Sequence, residues 1–143
     1  MTRTRCILIN NSFYDLKVAI PTGESKQFRG SDLTWKKDDG TYDVLAEGTI
    51  IPIGGTVDVG GIGDPGWADP NQWGWIYFWS EREQKYIQLY IFSSGNNKLH
   101  KCSLGYYDKS SSGDNPQPQG MLCSASCKYD KDTNITTATY TYG

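Results

Sequence analysis

His100 is the only histidine in a chain of 143 residues, and four cysteines accompany it: Cys6, Cys102, Cys123 and Cys127. The spacing Cys123-x-x-x-Cys127 suits a thiolate pair on a metal, and Cys102 with His100 would complete a tetrahedral zinc set. That set lacks a second spaced pair, because His100 and Cys102 are near neighbours. We therefore expect no metal and no cofactor. The cysteines are expected as buried free thiols, with disulfides formed after release as the alternative. Two carboxylate pairs, Glu81/Glu83 and Asp64/Asp69, have the residue types of a glycosidase acid and base. Asp64 and Asp69 each precede a proline, where aspartate is favoured for hydrogen bonds to its own backbone. Glu81 and Glu83 sit in the charged run SEREQK, so solvation explains them. No nucleophile elbow, HExxH, GxGxxG or P-loop pattern occurs. The expectation is a protein that is not an enzyme.

The remaining chemistry is aromatic. Residues 63–79, GDPGWADPNQWGWIYFW, hold four of the five tryptophans. Trp73, Trp75, Tyr77 and Trp79 fall on odd positions, and Gly74, Ile76 and Phe78 on even ones. Strand side chains alternate between faces, so this spacing predicts one strand with an aromatic row on one side. Asp64-Pro65-Gly66 and Asp69-Pro70-Asn71 are turn signals that put Trp67 at a loop tip. Such rings either fill a core or form a platform for a greasy or sugar-like ligand. Placed between two proline turns, Trp67 has few local ways to be buried and favours binding.

The elements that must carry this row are strands. Ten tyrosines, five tryptophans and sixteen glycines, with little 3.6-residue periodicity, predict β structure. Residues 6–9 are an apolar run ending in Asn10-Asn11-Ser12. Residues 14–20 alternate, and residues 42–51 lead to Pro52. Gly54-Gly55 turns the chain into residues 56–59. Residues 86–92 alternate again, with Ile87, Leu89 and Ile91 on one face and Tyr86, Gln88, Tyr90 and Phe92 on the other. Paired with residues 73–79 they give an aliphatic face and a double aromatic row. The aliphatic face suits a core, which leaves the aromatic one at least partly open. Residues 106–119 read as a polar loop, and residues 123–129 and 135–142 as a final hairpin. Short strands without a helix predict an all-β fold, a single antiparallel β-sandwich domain spanning residues 1–143. No internal repeat is visible.

Net charge is −2, and no basic run exceeds Lys36-Lys37, so nucleic acid is not an expected partner. The basic start of the chain precedes only a short apolar run, which is no signal peptide. Synthesis without a leader implies a cytoplasmic protein, or one released by a non-classical route to act at a target membrane surface. The sequons at Asn10 and Asn134 then carry little meaning.

The order of several motifs resembles the aegerolysin family. Leu33-Thr-Trp35-Lys36-Lys37-Asp-Asp-Gly40, with Asp43 beyond it, is similar to that family's Trp-Gly-Lys…Asp-Gly-Asp stretch. Ile51-Pro-x-Gly-Gly-x-Val-x-Val59 is similar to its Pro-x-Gly strand–turn–strand. Gly74-Trp-Ile-Tyr-Phe-Trp-Ser80, Ile87-Gln-Leu-Tyr-Ile91 and Gly95-Asn-Asn-Lys98 follow in the same order. Gly60-Gly-Ile-Gly63 stands where the family has Cys-Gly-Arg. The resemblance implies a β-sandwich that recognises membrane lipids such as sphingolipids, often with a larger pore-forming partner in cytolytic or insecticidal pairs. It also implies that Trp35 is a contact residue, with Lys36 and Lys37 available for a lipid phosphate. The expected contact set is Trp35, Trp67, Trp73 and Trp75, then Tyr77 and Trp79, with Asp64 and Asp69 beside them. Full transfer of one tryptophan out of water is worth at most about 4–6 kcal/mol. A few partly inserted rings would thus give adhesion without a membrane span. A lectin using the same platform is the first rival, and a sandwich whose aromatic face is an oligomer interface is the second.

Overall fold

Alternation within the strands decides which side chains meet in the core. The computed structural model describes residues 3–24, 27–29, 35–36, 47–62, 71–94, 100–109, 118, 120–133 and 135–143. These residues form eleven strands in two sheets and no α-helix. The first sheet joins β10 (Cys123–Asp130), β11 (Ile135–Tyr142), β1 (Arg3–Asn10), β6 (Thr56–Ile62) and β4 (Trp35–Lys36), in that order. The second joins β5 (Ile50–Ile51), β2 (Leu16–Val18), β7 (Asn71–Ser80), β8 (Lys85–Ser94) and β9 (His100–Tyr106), with β3 (Gln27–Arg29) also on β7.

One buried cluster draws on both sheets. It takes Cys6, Leu8, Ala138, Tyr140 and Tyr142 from the first sheet. From the second it takes Leu16, Val18, Ile76, Phe78, Ile87, Leu89, Ile91 and Leu104. The aliphatic face of β7 and β8 therefore lies in the core, as its alternation predicts. Hydrogen bonds also cross between the sheets, among them Tyr140 Oη donating to Tyr90 O at 2.7 Å and Ser80 Oγ meeting Tyr142 Oη.

Three features differ from the sequence reading. Among the described residues all pairings but one are antiparallel; β1 and β11 run parallel through eight residue pairs, Arg3↔Ile135 to Asn10↔Tyr142. A tight turn forces neighbouring strands antiparallel, whereas strands far apart in sequence are under no such constraint. The expected strand at 14–20 shortens to Leu16–Val18, because residues 12–14 form a bend. The sequence also gave no warning of β9, whose inward residues Cys102 and Leu104 alternate with Lys101, Ser103 and Gly105. Residues 42–46 of the expected strand 42–51 lie outside the described residues.

The bend after β1 is organised by Asn10, which is fully buried. Its Nδ2 donates to Tyr14 O at 2.8 Å and Ile51 O at 3.0 Å, and its Oδ1 accepts from Ser12 N and Oγ. Its backbone N–H donates to Gly55 O, and its carbonyl accepts from Gly54 N. Gly54 has φ of 70°, a left-handed conformation suited to glycine. One residue thus joins β1, the crossing to β2 and the β5–β6 turn.

Candidate functional site

Register sets the aromatic face. Across β7 and β8, Trp73 pairs with Phe92, Trp75 with Tyr90, Tyr77 with Gln88 and Trp79 with Tyr86. Trp75, Tyr77, Trp79 and their partners Tyr90, Gln88 and Tyr86 lie on the side of the sheet away from the shared core. That side is not bare, however: Trp75 is 8% exposed and Tyr77 0%. Tyr107 covers Tyr77, with ring centroids 5.4 Å apart and planes at 84°. Tyr107 also meets Tyr86 edge-on at 6.3 Å, and Tyr86 meets Trp79 at 5.0 Å. These are the edge-to-face contacts that aromatic quadrupoles favour.

Glu24 joins the cover from the segment after β2. Its carboxylate accepts Tyr107 Oη at 2.9 Å and Tyr77 Oη at 3.5 Å. Burial, and then that carboxylate, push Tyr107 up to about 12. At the neighbouring strand end, Glu83 accepts Tyr106 Oη at 2.8 Å, and this bond is the main reason Tyr106 is also pushed up to about 12. Trp79 Nε1 donates to Glu81 Oε1 at 3.0 Å. Trp75 Nε1 is buried with no hydrogen-bond partner among the described residues.

A second row crosses these strands at the Trp79 end. Ile50 of β5 pairs with Lys17 of β2, Lys17 with Trp79, and Trp79 with Tyr86. Leu16 and Val18 are buried while Lys17 between them is exposed, so Lys17 shares the outer face with Trp79. Ile50 is exposed, and Trp79 and Tyr86 are half-buried. A cation, an aliphatic chain and two aromatic rings thus stand side by side at the surface.

The structure divides the expected contact set. Trp35 and Lys36 lie in β4, paired with Ile62 and Gly61 in the first sheet, while Trp73, Trp75, Tyr77 and Trp79 lie in the second. Tyr77 is withdrawn beneath the Tyr107–Glu24 cover, and Trp75 is buried as well, so these two rings offer no open platform. Trp79 keeps a surface. Lys37, Asp64, Trp67 and Asp69 lie outside the described residues. Lys17, Ile50 and Tyr86 were missed as candidates; the alternation at 14–20 placed Lys17 opposite Leu16 and Val18 but not beside Trp79.

A cluster of exposed apolar side chains was missed altogether. Phe13 is 89% exposed, Leu122 66%, Ile53 55% and Tyr14 50%. They sit on the β1–β2 crossing, the β5–β6 turn and the lead into β10. These segments are tied together: Ile53 N donates to Asp15 Oδ1, Asn11 N to Tyr142 O and Gly143 N to Leu122 O. Apolar residues inside turn-type sequence, such as Pro52-Ile53-Gly54-Gly55, were the available signal.

The four cysteines are free thiols. Cys102 and Cys127 share a hydrogen bond that lowers the Cys127 thiol and raises that of Cys102. Cys123 Sγ donates instead to Leu104 O at 3.5 Å. Compared with known proteins, the chain matches no family model and no curated protein.

Proposed function

We propose that this protein is a non-enzymatic adhesion module that binds membrane lipid through the outer face of its second sheet, in the manner the aegerolysin resemblance implies. On this reading the two sheets are the layers of one β-sandwich, an arrangement supported by their common core. The carrying observation is the row Ile50, Lys17, Trp79 and Tyr86. A lysine ammonium beside two half-buried rings suits a phosphate-bearing headgroup, with the cation on the phosphate and the rings at the headgroup boundary. Trp75 and Tyr77, buried on the same face of β7, flank this row and fix the strand that carries Trp79. A larger pore-forming partner and self-association at the membrane belong to the same proposal.

The test is co-pelleting with vesicles of phosphatidylcholine and sphingomyelin, run beside a glycan array. Lys17→Glu and Trp79→Ala are each expected to weaken vesicle binding about tenfold, the loss of one interaction of about 1.4 kcal/mol. The urea midpoint of Lys17→Glu should stay near wild type, because that side chain is exposed, and Trp79→Ala, whose ring is half-buried, should stay folded with a lowered midpoint. Binding to glycans and to no vesicle would replace the lipid reading with the lectin one, which uses the same rings with Glu81 and Glu24 as hydroxyl acceptors.

A further inference from the structure

We propose that the cap formed by Phe13, Tyr14, Ile53 and Leu122 is a bilayer-insertion site, taking the acyl-chain boundary of a zwitterionic membrane. The inference rests on the lipid reading above for its ligand and adds a separate point of contact.

Three observations select a bilayer over another occupant. The four side chains sit on bends and turns outside the strands, and Phe13 at 89% exposure meets almost nothing of its own protein. So exposed a ring needs a medium that closes around it, which a soft, deformable bilayer does. Next, the supporting backbone is already hydrogen-bonded. Ser12 N donates to Asn10 Oδ1, Tyr14 N to Ser12 Oγ, Ile53 N to Asp15 Oδ1 and Gly55 N to Pro52 O. Tyr14 O accepts from both Asn10 Nδ2 and Ser12 Oγ. Loops normally resist lipid because bare amides and carbonyls lose their water there. These loops carry much of that satisfaction internally. Finally, residues 6–16, 48–56 and 120–127 contain no lysine or arginine. These segments therefore supply no cation of their own to favour anionic lipid, Lys17 belonging to the row beside them, and their one side-chain carboxylate, Asp15, is engaged by Ile53 N.

Cap and row also share an end of the molecule. Ser80, next to Trp79, bonds Tyr142 Oη, and Tyr142 O accepts from Asn11 N at the base of the cap. Lys17 and Trp79 can then meet headgroups while Phe13 and Ile53 enter deeper. The loops are held in place before binding, so little ordering cost falls on insertion.

The test compares wild type, Phe13→Ala/Ile53→Ala and Trp79→Ala on phosphatidylcholine vesicles with and without sphingomyelin, with urea midpoints and sedimentation for each. The double variant is expected to fold as wild type and to partition at least about tenfold more weakly. A Phe13→Trp variant should gain an emission blue shift on binding and extra quenching by lipids brominated in the acyl chains. If the double variant binds like wild type while Trp79→Ala is weakened, insertion by the cap is overturned and the lipid reading stands. If wild type binds no vesicle, both fall. Unchanged lipid binding together with loss of a dimer would show that the cap is an interface between copies. Vesicle binding without extra quenching of Phe13→Trp would likewise overturn insertion.

Discussion

Tyr106 and Tyr107 each donate a hydroxyl hydrogen bond to a carboxylate, Glu83 and Glu24 respectively, and both phenols are pushed from an ordinary 10 up to about 12. The folded state therefore prefers the neutral phenol. A folded-state value above the unfolded one contributes stability that is complete below pH 10 and is lost as pH rises towards 12. Stability should accordingly fall across that window, with loosening of the cover over Tyr77. Tyr106→Phe/Tyr107→Phe removes both titrations, and its urea midpoint should decline less steeply between pH 10 and 12 than that of wild type. An equally steep decline would place the alkaline sensitivity elsewhere. The neighbouring Trp79, bonded to Glu81 in the same charged turn, gives the carboxylates at 81 and 83 a structural use that solvated charge alone does not describe.

At the scale of elements, the crossing from β1 to β2 depends on a buried polar side chain rather than on apolar packing. Asn10→Ala would strip partners from Tyr14 O, Ile51 O and the Ser12 hydroxyl and amide. Leaving buried polar groups unsatisfied costs about 3 kcal/mol in total once partial compensation is allowed. The measurement is urea unfolding, and the loss should be accompanied by a misplaced Phe13–Tyr14 bend and weaker vesicle binding. A loss below about 0.5 kcal/mol, the size of an ordinary surface change, would mean that the bend holds itself. The hairpin β7–β8 is the opposite case. Its aliphatic residues pack in the core by alternation alone, and its register follows from which face must be buried.

At the scale of the molecule, the two sheets are held by a common core and by hydroxyls that reach across it. Tyr140 is fully buried, and its Oη donates to Tyr90 O in the opposite sheet. Tyr140→Phe keeps the ring and removes the bond, so thermal unfolding should show a loss of about 1 kcal/mol. No loss would mean that packing alone sets the spacing of the sheets. The same arrangement bears on function, since Tyr90 belongs to the outer aromatic row while its carbonyl is anchored from inside. The row is thereby built on a strand fixed from both sides.

Much of the fold was readable from residue order. Period-2 alternation at 73–79 and 86–92 put Ile87, Leu89 and Ile91 on one face and the rings on the other, and the aliphatic face, the easier one to place in a core, is the one that lies there. The last two strands were equally plain, as was the absence of helical periodicity. β9 was not, because Lys101, Ser103 and Gly105 leave its apolar side represented by a cysteine, a leucine and a tyrosine. Only the tertiary structure decided what covers the aromatic face: Tyr107 and Glu24 are far from Tyr77 in sequence and reach it through separate loops. It also decided that Lys17 stands beside Trp79 across a strand pair, and that Phe13, Ile53 and Leu122 share one end. The physical reason is common to all three. Alternation is local and assigns a side chain to a face, whereas exposure depends on which distant segment comes to lie over that face.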